Sequence, residues 1–299
     1  MNQRNTAVAL TLLSSFFWGS SFVAAALGVR GEGPNAVHFL AIRFAISAPM
    51  GFALILYAKT SMRKVFGDWR MWALGILNAV AFAMQYVGLE YTTATKAALL
   101  VHVNIVVVAI LSVALLREKL NWKVGLAVAL GLAGVSIVSV GDAYYSSGGL
   151  GSIWQGGSIV GDLLNVGAGC VWAFFIILTK NVLNDEKQSF SPNAVTGALA
   201  ITTLVPLFAM SLFLPWTGEV STNILLLAAY LAVFCTIIAY LLWSFGLNRL
   251  PATVTSLLVL METFFAALLA AIFLGDVLTP VSWAGAGLIA TAAILASIS

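Results

Sequence analysis

Ten apolar segments joined by short polar connections constrain the fold of this chain more than any other feature. A helix needs about 20 mostly apolar residues to cross the hydrocarbon core of a bilayer. The 299-residue sequence is 61% hydrophobic and 8% charged, whereas soluble domains carry roughly 25% charged residues. The chain therefore requires lipid as its solvent. Transmembrane helices, numbered spans 1 to 10, are predicted at roughly 6–28, 36–58, 71–89, 94–116, 123–140, 159–179, 194–214, 224–246, 252–274 and 280–298.

The composition also limits the possible functions. The net charge is only +3, without a basic run interleaved with aromatic residues, so nucleic acid is not an expected partner. Cys170 and Cys235 lie inside apolar segments without metal-ligand neighbours, so neither a disulfide framework nor a metal site is expected. The sequence has two histidines and neither an HExxH nor a P-loop motif, which argues against metalloprotease chemistry and ATP hydrolysis. No cofactor is implied.

Lysine and arginine residues are unevenly divided between the two sides of the predicted bundle. Eleven fall in one set of alternate connections, two fall in the other, and Arg43 lies within span 2. Because Lys and Arg accumulate in cytoplasmic connections, this division places the N- and C-termini in the cytoplasm. The chain is therefore predicted to be a multi-pass integral membrane protein in contact with the lipid bilayer.

The second half of the chain repeats the first at an offset of 158 residues, or 154 for one tryptophan pair. Each half holds five predicted spans, so the second copy must insert with the opposite orientation. We therefore predict an all-α integral membrane fold of ten transmembrane helices, as two inverted five-helix repeats at 1–145 and 146–299. Such repeats are typical of secondary transporters, with the substrate site near the midplane. Aligned pairs include Gly88 with Gly246, Leu99 with Leu257, Leu120 with Leu278, and Trp18 with Trp172.

Motifs in both halves resemble the EamA-like family of the drug/metabolite transporter superfamily. They are Trp18-Gly19-Ser20-Ser21, Arg43, the segment from Gly88 to Leu120, and its second copy from Gly246 to Leu278. The resemblance covers essentially the whole chain and is closest to bacterial exporters of aromatic amino acids and paraquat. It implies a secondary transporter of the bacterial cytoplasmic (inner) membrane that exports amino acids or related small metabolites. The chain departs from the family pattern at Ile105 and Thr263, where many members have proline, and at Asp276, where many have glutamate.

Aromatic and hydroxyl side chains on repeat-related spans outline a candidate cavity between the halves. In span 1, the residues at helical spacing are Thr11, Ser14, Trp18 and Ser21. They form one polar face, which lines either a cavity or a helix–helix contact. The aromatic residues of spans 3, 6 and 8 are interpreted either as cavity walls or as packing and interfacial residues. The predicted lining from these spans comprises Trp18, Ser21, Phe82, Tyr86, Trp172, Tyr240 and Trp243.

Four polar residues within the predicted spans are further candidates for the site. Glu262 lies near the middle of span 9, and its repeat partner is Asn104 in span 4. Because an unpaired carboxylate there is costly, Glu262 is a candidate for proton coupling, for contact with a substrate amino group, or for a structural hydrogen bond. Arg43 has either a structural partner or a substrate carboxylate. His102 is either a packing residue or a proton relay, and two residues turn a helix by about 200°, which separates it from Asn104.

These features together predict a secondary active exporter of amino acids or related small metabolites that works by alternating access, and not an enzyme. A multidrug exporter of cationic aromatic compounds is the alternative within the same class. An intramembrane enzyme would need a nucleophile and base within reach of each other, for which the spans offer few candidates. A passive channel is disfavoured because two inverted halves in one chain favour alternating access over a ring-like filter. The oligomeric state and the coupling ion stay open.

Overall fold

The computed structural model describes residues 3–28, 33–91, 94–147, 159–273 and 279–299, and helices account for nearly all of them. In the first half, α1 spans Gln3–Gly28, α2 Ala36–Tyr57, α3 Met62–Gly67, α4 Trp69–Tyr91, α5 Ala94–Val101, α6 Asn104–Leu116 and α7 Trp122–Ser147. In the second half, α8 spans Ile159–Asn184, α9 Pro192–Ser211, α10 Thr222–Tyr230, α11 Ala239–Arg249, α12 Ala252–Val259, α13 Met261–Phe273 and α14 Pro280–Ser297. The motif position Asp276 lies outside the described residues.

Within the described residues, eight helical segments are long and apolar enough to cross a membrane. They correspond to predicted spans 2, 3, 4, 6, 7, 8, 9 and 10. Span 5 corresponds to α7, whose apolar part, Trp122–Val138, is shorter than the others. Span 1 corresponds to α1, which is 26 residues long but carries Arg4 and several buried hydroxyl residues. The chain is thus a helical, multi-pass membrane protein. The eight segments are Ala36–Tyr57, Trp69–Gly88, Leu99–Leu116, Ile159–Asn184, Pro192–Ser211, Thr222–Arg249, Ala252–Phe273 and Pro280–Ser297.

Spans 4 and 9 are each broken into two helices at positions that the repeat makes equivalent. The first break separates α5 from α6, and the second separates α12 from α13. At the first, the Ile105 amide donates to the His102 carbonyl at 3.1 Å, and at the second the Thr263 amide donates to the Leu260 carbonyl at 3.0 Å. Such i to i+3 bonds tighten the chain locally. Both breaks occur without proline, although the resemblance associates proline with the positions of Ile105 and Thr263.

Span 8 contains a widened helical turn that the apolar pattern did not predict. Between α10 and α11 the chain forms a π-helix at Leu231–Ile238. The Thr236 hydroxyl donates to the Leu231 carbonyl at 3.0 Å within this segment. π-helical turns are rare and occur frequently at functional sites, because the wider turn displaces backbone groups from their usual directions.

Helices of the first half pack directly against helices of the second. α2 packs on α9, α4 on α8, α7 on α14, and α1 on both α11 and α13. Paired glycines allow two of these contacts to be very close. A Cβ atom at Gly51 would lie 2.7 Å from the Gly197 carbonyl oxygen, and one at Gly134 would lie 2.8 Å from that of Gly285. Small residues permit this backbone approach, which is a common basis of helix association in membranes.

One end of the bundle, here called the basic end, contains the connections between spans 2 and 3, 4 and 5, 6 and 7, and 8 and 9. There Arg70 contacts Asp68 at 2.7 Å and Asp185 at 2.5 Å, which ties the start of α4 to the connection after α8. The hydrogen bond from Arg70 lowers the pKa of the Asp68 carboxyl. The Lys187 amide and Arg70 lower the pKa of Asp185. Both carboxylates are therefore ionised at neutral pH, and the contact between the halves persists there.

A second contact at the basic end joins the halves through a helix terminus. Glu118, in the α6–α7 connection, accepts the Ala252 amide at 2.8 and 3.1 Å and so caps the first turn of α12. Nearby, the Lys180 ammonium donates to the carbonyls of Leu247 and Leu250 at 2.7 and 2.8 Å. A carboxylate at a helix N-terminus satisfies free amides and complements the helix dipole.

Replacing Glu118 with alanine is expected to lower the free energy of unfolding by about 1 to 2 kcal/mol, because the Ala252 amide at the start of α12 loses its acceptor. Glu118→Gln keeps one oxygen acceptor and should lose less. Lys119→Ala is the matched control, since Lys119 is an exposed neighbour. The measurement is the thermal unfolding midpoint of the detergent-solubilised protein. Equal midpoints for Glu118→Ala and Lys119→Ala would contradict the capping role.

Candidate substrate-binding site

Aromatic rings from α1, α8 and α11 meet in the interior of the bundle. The Trp18 ring centroid lies 5.3 Å from that of Tyr240 and 6.1 Å from that of Trp243. The Phe175 ring stacks on Trp243 with centroids 5.7 Å apart and planes 10° apart. Offset-stacked and edge-to-face pairs of this kind are the favoured arrangements of aromatic side chains. The two halves of the chain therefore share one aromatic cluster at this point.

The cluster continues across α8 to α4. Trp172 lies 5.4 Å from Phe175 and 5.0 Å from Phe82, measured between ring centroids. Phe82 in turn lies 6.2 Å from Tyr86. All six aromatic residues predicted for the lining thus lie in one continuous chain of rings. Phe175 joins the rings around Trp18 to the rings around Trp172. It follows Trp172 at helical spacing but was not among the predicted site residues.

Burial separates the rings into two groups. Tyr240 and Trp243 are 3% and 2% exposed, and Phe175 is 1% exposed, so these three are fully packed. Trp18, Trp172 and Tyr86 are only half-buried. The half-buried rings are therefore the more accessible part of the cluster, and the packed rings are its core.

The packed rings are held by a buried polar contact that the sequence did not suggest. The Tyr240 hydroxyl donates to the Asn78 amide oxygen at 2.8 Å. The Asn78 amide nitrogen donates in turn to the Thr203 hydroxyl at 3.0 Å. These three side chains link α11, α4 and α9. Because a buried hydroxyl is costly without a partner, the contact fixes the orientation of the Tyr240 ring.

Arg43 is buried, and its contacts are to carbonyl, hydroxyl and aromatic groups. Its Nε donates to the Thr236 hydroxyl at 2.8 Å, and its Nη2 donates to the Cys235 carbonyl at 3.2 Å. The guanidinium carbon lies 5.3 Å from the centroid of Phe82 and 5.7 Å from that of Phe44. Across the described part of the chain no carboxylate forms an ion pair with Arg43. Its positive charge is therefore stabilised by dipoles and aromatic faces.

Glu262 and His102 face each other across the two helix breaks. His102 Nε2 lies 3.7 Å from Glu262 Oε1, and their side chains are 9% and 19% exposed. The argument that separated His102 from Asn104 assumed a continuous helix, and the break between α5 and α6 removes that assumption. Asn104 is half-buried, and its amide oxygen is buried without a hydrogen-bond partner. The breaks therefore bring a titratable pair together at one level of the bundle.

The hydroxyl face of α1 is divided between two roles. Thr11, Ser14 and Ser15 are fully buried, and Ser15 donates to the Leu258 carbonyl at 3.1 Å. These residues form a helix–helix contact, as in one of the two interpretations of this face. Ser21 is half-buried and donates to the Trp18 carbonyl of its own helix at 2.6 Å. Ser21 thus lies one turn beyond Trp18, at the edge of the aromatic cluster.

Comparison with known protein families identifies the family of this chain. The model of the EamA-like transporter family matches the chain twice, at residues 5–140 and at residues 159–298. The chain belongs to the EamA-like transporter family. The double match also establishes that this EamA-like transporter contains two repeats, the second following the first across the middle connection.

Two relatives of this EamA-like transporter are themselves described as uncharacterized transporters. It is 28% identical over 265 residues to an uncharacterized transporter of Archaeoglobus fulgidus, covering 87% of this chain and 86% of the relative. It is also 28% identical over 290 residues to the uncharacterized transporter YwfM of Bacillus subtilis, covering 93% and 88%. A solved crystal structure superposes with a TM-score of 0.81 at 16% identity and covers 98% of this chain and 97% of that one. That likeness shows a shared fold.

Proposed function

We propose that this EamA-like transporter is a secondary active exporter of amino acids or related small metabolites that works by alternating access. In this proposal α1 and α7 complete ten transmembrane helices, and the two halves have opposite orientations in the bacterial inner membrane. The basic end faces the cytoplasm together with both termini, because its connections carry most of the Lys and Arg residues. The direct contact between Arg4 and the Ser299 carbonyl is consistent with termini on one side.

The observation that carries the proposal is an aromatic cluster with a cation on one side and a carboxylate on another. The Arg43 guanidinium lies 5.3 Å from the Phe82 ring of the cluster, and the Glu262 backbone packs against Gly19, the residue after Trp18. A zwitterion could direct its ammonium group toward Glu262 while its carboxylate benefits from the field of Arg43. An apolar side chain would then contact the half-buried rings of Trp18 and Trp172. These features together suit an α-amino acid.

Arg43 also weighs against the export of cationic aromatic compounds. Its guanidinium lies 5.3 Å from the centre of the Phe82 ring, which belongs to the same aromatic cluster. A second cation over these rings would be repelled by the buried charge, since interactions between charges are strong where water is scarce. The cluster therefore favours a substrate with a carboxylate over one with a net positive charge.

The broken helices support alternating access as the mechanism. In many transporters the substrate and coupling ion bind near the midplane where helices are discontinuous. Here both breaks lie beside His102 and Glu262, between helices of opposite halves. Contacts at the basic end close that side between the halves, and we propose that they separate when the substrate enters from the cytoplasm.

The test is counterflow in proteoliposomes that contain the purified transporter. We expect saturable exchange of radiolabelled phenylalanine or leucine, and little exchange of the aromatic dication methyl viologen. Trp18→Ala should reduce the exchange at least tenfold, because a half-buried ring of the cavity wall is lost. Trp283→Ala is the matched control, since Trp283 is 51% exposed on α14.

Other outcomes of the same assay decide between the remaining functions. Exchange of methyl viologen alone would replace the proposal with multidrug export. Flux that neither saturates nor shows counterflow would indicate a channel. Equal loss of exchange in Trp18→Ala and Trp283→Ala would contradict the assignment of the aromatic cluster as the binding site.

A further inference from the structure

The Cys235 carbonyl in the π-helix receives two side-chain hydrogen bonds from the first half of the chain. The Trp18 indole nitrogen donates to it at 3.0 Å, and Arg43 Nη2 donates at 3.2 Å. A carbonyl inside a regular α-helix is directed along the helix axis toward its intrahelical amide. Accepting two lateral donors is easier where the turn is widened and the carbonyl can tilt outward. The π-helix thus provides an acceptor at the point where α1 and α2 meet span 8.

Further hydrogen bonds tie α1 to the same segment. The Cys235 thiol donates to the Phe17 carbonyl at 3.1 Å. The Ser20 and Tyr230 hydroxyls lie 2.6 Å apart and share a hydrogen bond. The Trp18 ring therefore belongs to a part of α1 whose position is determined by the π-helix. Its indole plane is fixed by the single N–H that reaches Cys235.

Arg43 contacts both the Cys235 carbonyl and the neighbouring Phe82 ring. Its planar guanidinium bonds Thr236 and Cys235 on one side and faces the Phe82 ring on another. A lysine ammonium has the same charge but lacks the flat, forked geometry for these three contacts. Arg43 is 2% exposed, and its hydrogen bonds are directed at the protein, so it acts on the site through Trp18 and Phe82.

We propose that Arg43 is a positioning residue that, together with the π-helix, sets the orientation of the Trp18 indole and thereby the preference for aromatic over aliphatic substrates. The selectivity part of this inference rests on the proposed function. Tilting the indole would change the half-buried face that Trp18 presents beside the rings of Tyr240 and Trp243. Aromatic side chains depend on ring-to-ring geometry more than aliphatic ones do, so they should be affected more.

The first test measures the indole directly and requires no substrate. The protein is labelled with 5-fluorotryptophan, and the fluorine NMR signal of Trp18 is identified by its absence in Trp18→Phe. Thr236→Val removes the hydroxyl that orients Arg43 and is expected to shift this signal, as is Arg43→Lys. Thr291→Val is the matched control, because Thr291 is an exposed helical threonine with a backbone hydrogen bond. An unshifted Trp18 signal in both Thr236→Val and Arg43→Lys would overturn the proposal.

The second test measures selectivity by counterflow. In Thr236→Val, and in Arg43→Lys, the half-saturating concentration of phenylalanine should rise about tenfold more than that of leucine. Equal changes for both amino acids would overturn the positioning role. If neither amino acid is exchanged by the wild-type protein, the proposed function fails. The fluorine signal then still decides whether Arg43 orients Trp18.

Discussion

If Glu262 is the proton-coupling site, one of the roles that its position predicts, replacing it with glutamine is expected to abolish substrate accumulation driven by a pH gradient, while exchange without a gradient continues. Glutamine keeps the size and hydrogen-bonding capacity of the side chain but cannot bind and release a proton. A carboxyl group within the membrane that faces a histidine is suited to carry the coupling proton between the two sides. The expected loss is complete for uphill accumulation and less than about tenfold for exchange.

The neighbours of Glu262 define the controls for this prediction. His102 faces it at 3.7 Å, and its backbone packs against Gly19 of α1. His102→Asn should also reduce this accumulation, because the Glu262 carboxyl loses the imidazole that it faces. Glu186→Gln is the matched control, since Glu186 lies exposed in the connection between α8 and α9. Normal accumulation in Glu262→Gln would exclude this carboxyl as the coupling site.

Replacing Gly19 with alanine is expected to destabilise the protein by about 1 to 3 kcal/mol, the range for overpacking in a close-packed interior. A Cβ atom at Gly19 would lie 2.7 Å from the Glu262 carbonyl oxygen and 2.8 Å from Phe265 Cβ. The backbones of α1 and α13 would have to separate, which would move both Trp18 and Glu262. We therefore expect a lower thermal midpoint together with impaired transport.

Gly125→Ala is the control that isolates the close approach. A Cβ atom at Gly125 would meet no atom within 4 Å. Alanine there should therefore leave the free energy of unfolding unchanged or raise it by up to about 1 kcal/mol, and the thermal midpoint should not fall. The measurement is thermal unfolding of both variants in the same detergent. If Gly19→Ala unfolds at the same temperature as Gly125→Ala, the contact between α1 and α13 is looser than the structure indicates.

The sequence alone determined the apolar helices, the duplication and most members of the aromatic cluster. Hydropathy over about 20 residues and helical spacing are local properties, so they can be read without a neighbouring helix. The alignment of the two halves then related Trp18 to Trp172 and Glu262 to Asn104. The less apolar α1 and the shorter apolar part of α7 were the segments for which length and hydropathy alone gave the least support.

Only the tertiary structure decided how the polar groups of the site are paired. The helix breaks occur without proline, and the π-helix at Leu231–Ile238 has no marker in the apolar pattern, because both depend on which neighbouring groups accept and donate hydrogen bonds. These backbone changes brought His102 to Glu262, and Trp18 and Arg43 to the Cys235 carbonyl. Periodicity assumes a continuous α-helix. It therefore predicts which residues share a face of a regular helix. The prediction fails where packing against another helix changes the hydrogen-bond pattern of the backbone.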